Sequence, residues 1–101
     1  MDNRKIDANT LVRRNDSKFM STKLGDEIVM MNMETGDFIS MNTVGADIWD
    51  LSEHPVFVKD LIQKLVSLYR IDEIQCASET ISFLQNSIEQ NIFIYNYPDK
   101  Q

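Results

Sequence analysis

The hydrophobic period of this chain changes once, at Asn42, and that change fixes its architecture class. Before it, apolar residues come in short alternating runs. After it, they recur at helical spacing. Phe19 to Lys23 is a short strand candidate, followed by a Gly25-Asp26 turn. Glu27 to Met33 is the clearest strand, and alternation puts Val29, Met31 and Met33 on one face. Thr35-Gly36-Asp37 is turn chemistry, with Gly36 able to take positive φ. Phe38 to Met41 returns, with Ile39 and Met41 alternating. Asn42 or Thr43 then caps a helix whose stripe is Val44, Ile48 and Leu51, with Trp49 beside it. Gly45 weakens that helix by up to ~1 kcal/mol relative to alanine, and permits close packing.

Two further helices follow. Val58, Leu61, Ile62, Leu65, Leu68 and Tyr69 form an unbroken apolar stripe, with Lys59, Gln63 and Lys64 on the wet side. Asp72 with Gln75 three residues on is a capping-box pattern, and Ile71 and Cys76 sit at the staple positions around it. Ile74, Ala77, Ile81, Leu84 and Ile88 form the predicted core stripe of the third helix. Asn91 suits a left-handed stop, after which Ile92 to Tyr95 extend and pack back. Strands followed by helices give an α+β fold: a small three-stranded antiparallel meander, then three helices, winged helix-turn-helix-like in order. Residues 1–16 are polar and read as a loose arm, with a short extended piece around Leu11 and Val12. The domain proper is predicted over 17–97.

Composition narrows the function classes. A chain of 101 residues suits one domain with one core. A single cysteine, Cys76, allows no internal disulfide, which fits a reducing compartment. No apolar run follows the first basic residues as a secretory signal requires, and none approaches the ~20 residues that span a bilayer. The expected location is the cytoplasm, with no membrane partner. Residues 1–24 hold six basic and three acidic side chains, a net of +3; the other 77 hold four and thirteen, a net of −9. An acidic body disfavours nucleic-acid binding, which runs on Lys and Arg neutralising phosphates. A DNA-binding winged helix is nevertheless the alternative function. It would have to rely on Lys59, Lys64 and Arg70, because the third helix carries no basic residue.

The inventory for catalysis is poor, and no enzyme activity is expected. His54 is the only histidine and lies in a predicted loop, Ser52-Glu53-His54-Pro55; Cys76 begins the third helix, where staple packing competes with thiol activation. One Cys and one His do not make a zinc site. The three glycines form no phosphate loop, and Asp47 and Asp50 read as a solvated helix face. No cofactor or metal is expected. The methionines, crowded at Met30, Met31 and Met33 with Met20 and Met41 on neighbouring strands, read either as core filling or as an adaptable binding surface. At 100° per residue, Cys76, Thr80, Phe83 and Ser87 share a second face of the third helix. That face either lines a groove or is buried like the first. The Asp37–Met41 strand carries no Lys or Pro to block it, and a bare edge accepts an added strand.

The run from Glu27 to Leu51 resembles the PqqD-like family: a strand, a Glu34-Thr35-Gly36 turn, a strand, then Asn42-x-x-Gly45-Ala46-x-Ile48-Trp49-x-Leu51, with Met41 where that family usually has leucine. Asp60, Leu61, Leu65, Tyr69, Asp72, Ile81, Phe83, Leu84 and Ile92 continue the pattern, so the resemblance covers roughly 17–95. Pro55-Val56 and Asn91 depart from it, at loop and cap positions where glycine is usual. The resemblance implies a peptide chaperone that binds the leader segment of a ribosomally made, post-translationally modified precursor peptide. It implies delivery of that peptide to a modifying enzyme, often a radical SAM protein. The leader lies along the third strand against the third helix. Here the implied positions are Phe38, Ile39, Ser40 and Met41 on the strand and Thr80, Phe83 and Ser87 on the helix, with Cys76 on the same helical face. A bare edge of this kind is also compatible with a homodimer.

Overall fold

In a computed structural model the described residues are 6–96, and they form two antiparallel three-stranded sheets and three helices. The order is β1 (Leu11–Arg14), β2 (Phe19–Leu24), β3 (Glu27–Asn32), β4 (Phe38–Met41), α1 (Thr43–Leu51), β5 (Val56–Phe57), α2 (Val58–Tyr69), α3 (Glu73–Glu89) and β6 (Phe93–Asn96). The α+β class, the β2-β3-β4 meander and the three helices are as the sequence implies. The likeness to a winged helix-turn-helix gains no support beyond the element order.

The second sheet, ordered β5-β1-β6, was not foreseen, and it corrects the reading of residues 1–16 as a loose arm. Its centre is β1, with Leu11 opposite both Phe57 and Asn96. The segment is bonded along its length. The Ile6 amide donates to Gln85, the Arg14 amide to the Ser52 carbonyl, and the Asn15 amide to the Ile92 carbonyl. The Thr10 and Ala8 carbonyls accept from the Val58 and Lys59 amides, 2.9 and 3.0 Å away. These two bonds satisfy two of the first-turn amides of α2, which has no side-chain cap. Val12 is 1% exposed. The domain therefore reaches back at least to Ile6, and residues 1–5 lie outside the described residues. The extended piece expected around Leu11 and Val12 is β1; its pairing is not legible in the sequence, because two apolar residues in a polar stretch give no period and the partners lie more than 40 residues away.

Each predicted helix forms, and the α2 stripe faces inward through Val58, Leu61, Ile62 and Leu65, with Leu68 alone exposed; the inner faces of α1 and α3 are rotated from the predicted stripes. On β3 the inward residues are Ile28 and Met30, at 1% and 0% exposure, while Val29, Met31 and Met33 do share a face, the outer one. Alternation defines two faces without saying which is inside. On α1 the core residues are Ala46, Ile48 and Trp49, and Val44 is exposed. On α3 the buried residues are Cys76, Thr80, Leu84 and Ser87. The predicted stripe contributes Leu84 fully, Ala77, Ile81 and Ile88 by half, and Ile74 not at all, at 80% exposure.

The caps behave locally. Asn42 accepts from the Gly45 amide and Asp72 from the Gln75 amide, each at 2.9 Å. The Gln75 side chain bonds Glu79 rather than closing the capping box. Asn91 ends α3 at φ 66, and Gly36 turns the β3–β4 hairpin at φ 79. Lys23 on β2 meets Asp50 on α1 at 2.7 Å; this bond raises the lysine's pKa and ties the sheet to the helix.

Inward Met30 and outward Met33 make the register testable. Met30→Ala is expected to cost about 2–5 kcal/mol, as buried methionine truncations do, and Met33→Ala to stay within about 0.5 kcal/mol, both measured by urea unfolding. Equal costs would mean that the assigned inner and outer faces of β3 are wrong.

Candidate functional site

The edge strand β4 and the C-terminal half of α3 face each other across an open cleft of about 280 Å³. Ile39, Ser40, Met41 and Asn42 form one wall, and Phe83, Asn86, Ser87, Gln90 and Ile92 form the other wall and floor. Met41 and Ile92 are buried, Ile39 is half-buried, and Asn86 and Gln90 are exposed at the rim. The cleft is thus uncharged and mixed in polarity, with Met41, Ile92 and the Ser87 hydroxyl side chain at depth and amides at its mouth.

The hydrogen-bonding phase of β4 follows from its register. The Asn32 amide donates to the Asp37 carbonyl at 2.9 Å, and the β3–β4 ladder continues through Met31 opposite Phe38 to Ile28 opposite Met41. Antiparallel pairs alternate between bonded and non-bonded, so Asp37, Ile39 and Met41 turn their backbone groups toward β3. Phe38 and Ser40 turn theirs away from it. Among the described residues no strand pairs with that side of β4. Side chains alternate perpendicular to the same axis: Ile39 and Met41 point inward, and Phe38, at 72% exposure, points outward.

A second cavity, about 350 Å³, adjoins the first and lies among α1, α2 and α3. Val44, Gly45, Ile48, Leu65, Cys76 and Thr80 contribute to its lining, and Asn42 and Phe83 border both spaces. Phe83 is the partition. A Cβ on Gly45 would stand 3.3 Å from the Met41 Cβ and 3.4 Å from the Phe83 ring, so a side chain there would crowd Met41 by a few tenths of an ångström and touch the partition. At the rim of this second cavity the Tyr69 hydroxyl donates to Asp47. That bond, with some burial and the nearby carboxylate charge, pushes the phenol up to about 12.

The eight positions singled out in the sequence therefore fall into three groups. Ile39, Ser40, Met41, Phe83 and Ser87 line the cleft. Cys76 and Thr80 line the neighbouring cavity, which Phe83 shares. Phe38 borders neither and stands on the outer face of the sheet. Cleft residues absent from the sequence reading are Asn42, Asn86, Gln90 and Ile92. Asn86 and Gln90 follow Phe83 at i+3 and i+7, a helical signal hidden by their polarity. Cys76 is buried, with its Sγ 3.8 Å from the Thr80 hydroxyl, while His54 is exposed in the loop after α1. Asp47 and Asp50 are engaged by Tyr69 and Lys23 rather than simply solvated. Among the described residues no group of three His, Cys, Asp or Glu could hold a metal, and no helix is long and apolar enough to cross a membrane.

A family model described as Coenzyme PQQ synthesis protein D matches residues 27–92. The chain belongs to the PqqD family. The matched span begins with β3 and ends at Ile92, so it contains both walls of the cleft and all eight positions above. Among solved structures, one described as TbiB1 in complex with the TbiA(beta) leader peptide superposes with a TM-score of 0.72 at 21% identity, covering 80% of this chain and 93% of that one. At that identity the likeness is one of fold. No curated protein matches the chain. The PqqD-family pattern and the geometry meet at Gly45: the glycine of the Asn-x-x-Gly-Ala segment lies against both Met41 of β4 and the Phe83 ring that partitions the two cavities.

The Tyr69–Asp47 bond gives a pH-dependent expectation. A phenol whose folded pKa is raised adds stability that is present below the free value of ~10 and lost as pH climbs toward 12. Ultraviolet titration at 295 nm should show a phenol ionising near pH 12 that moves down toward 10 in Asp47→Asn. The stability gap between wild type and Asp47→Asn should close over the same interval. An unchanged titration in the variant would remove the assigned bond.

Proposed function

We propose that this PqqD-family chain is a non-catalytic peptide chaperone. It binds the leader segment of a ribosomally synthesised precursor peptide by strand addition to β4 and presents it to a modifying enzyme in the cytoplasm. The observation that carries the reading is the coincidence of a bare strand edge with an uncharged, partly apolar cleft. Phe38 and Ser40 offer outward backbone donors and acceptors, and the space beside them is floored by Met41, Phe83 and Ile92. An extended peptide gains main-chain bonds from such an edge and places alternate side chains in the cleft. The similar TbiB1 structure is itself a complex with a leader peptide, and the family's description places its members in a biosynthetic role.

Two further features support the reading. The rim residues Asn86 and Gln90 can hydrogen-bond a peptide backbone in either direction. The residues whose amides would meet the leader, Phe38 and Ser40, sit in a strand without Lys or Pro, the usual guards of an edge. The modifying enzyme is a separate partner in this reading, with radical SAM chemistry the class that the family resemblance implies. DNA binding as the alternative finds no support: α3 carries Glu73, Glu79 and Glu89 and no basic residue.

Ser40→Pro isolates the main-chain contribution. Its amide faces away from β3, so proline removes a donor to the added strand without cutting the native ladder. The expected result is a folded protein by circular dichroism with leader binding weakened at least about ten-fold, given the loss of one bond and a blocked edge. The ligand is a synthetic leader peptide of a ribosomally made precursor from the same genome, measured by calorimetry. Undiminished affinity in a folded Ser40→Pro variant would rule out strand addition at β4.

A further inference from the structure

The exposed methionines lie outside the cleft, and the register explains their arrangement. Met20 on β2 is opposite Met31 on β3, and Met31 is opposite Phe38 on β4. All three point to the outer face, away from the helices. They form one cross-strand row over three strands, with Met33 beside it. Exposure rises toward both edges of the sheet: Met31 is half-buried in the middle, Met20 on β2 is 54% exposed, and Phe38 on β4 is 72% exposed. The row therefore stops at its most exposed member, and it stops because the sheet stops.

Phe38 is also one of the two residues whose backbone groups turn away from β3. The side-chain row and the hydrogen-bonding vacancy thus end at the same residue. A partner lying flat on the outer face would cover the row and leave the edge open. A strand added at the edge would satisfy both. Its residue opposite Phe38 must lie on the outer face, whether it runs parallel or antiparallel, because paired residues of neighbouring strands share a face. The residues on either side of it point into the cleft.

We propose that the Met20–Met31–Phe38 row is a second specificity surface for the leader, receiving a large apolar side chain opposite Phe38. This rests on the leader reading of the β4 edge and sharpens it. The leader is recognised on both faces of its strand, so its recognition segment carries bulky apolar residues at adjacent positions: one on Phe38, the next in the cleft over Ile39 and Phe83. A singly faced amphipathic strand would fill the cleft and leave Phe38 in water. Aromatic, leucine or methionine side chains fit, because the row offers flexible thioethers flanked by one ring, with Glu27 the one charge that β3 presents on the same face.

The test uses the same synthetic leader peptide, fluorescein-labelled, with anisotropy for affinity and amide chemical shifts for location. Phe38→Ser touches no core residue, so the variant folds. It is expected to weaken binding roughly two- to five-fold, the range of one cross-strand pair. A serine in the leader position facing Phe38 should cost the same, the two together no more than either alone, and Phe38→Leu should restore most of the affinity. Wild-type affinity in Phe38→Ser, with the leader still shifting β4 amides, would overturn the row while sparing the strand-addition reading. A leader that bound without shifting β4 amides would overturn both. Loss of a wild-type dimer in Phe38→Ser, with leader affinity unchanged, would assign the row to a second copy of the chain and overturn the proposal.

Discussion

Three rings hold the cleft in shape. Phe93 of β6 lies between Trp49 of α1 and Phe83 of α3, with centroids 5.8 and 6.0 Å away and planes at 71° and 70°. Edge-to-face contacts of this kind are favourable beyond the area they bury, and here they join three elements from distant parts of the chain. The position of Phe83, the partition of the two cavities, is set from behind by Phe93 and from the side by the bare backbone of Gly45. Trp49 is covered in turn by the Arg14 guanidinium, 5.2 Å from its ring, at the end of β1. The cleft thus depends on a strand that touches none of it: β1 holds β6, β6 carries Phe93, and Phe93 fixes the wall.

That dependence explains what the sequence could and could not show. Strands β2 to β4 and the three helices were legible because their signals are local: alternation, the Asn42 and Asp72 caps, and the left-handed Asn91. The second sheet was not, because the pairing of Leu11 with Phe57 and Asn96 is a long-range choice that no window contains. The rotation of α3 escaped for a different reason. A hydrophobic wheel favours the isoleucine face, yet the helix approaches its neighbours through Cys76, Thr80, Leu84 and Ser87. Ile74, in the first turn beside the α2–α3 connection, is left 80% exposed.

The candidate site was half legible for the same reasons. The edge strand and Phe83 stand out in sequence, and the family resemblance supplied their joint role. The polar rim of Asn86 and Gln90 did not stand out, because polar residues on a helix look like solvent contacts until a strand is placed opposite. The division between cleft and neighbouring cavity also needed coordinates, since it turns on where one ring lies. On the proposed reading one arrangement serves both purposes: β4 has an unpaired edge, and α3 lies where it would cover the inner side of a strand added there.

Amide hydrogen exchange measures that vacancy directly. In the free protein the Phe38 and Ser40 amides should exchange rapidly, while the Ile39 and Met41 amides, bonded to β3, are protected. Saturation with the leader should slow Phe38 and Ser40 together, as an added strand closes the edge. A leader that binds tightly while both amides continue to exchange at their free rates would contradict strand addition, and with it the account of why this sheet ends where it does.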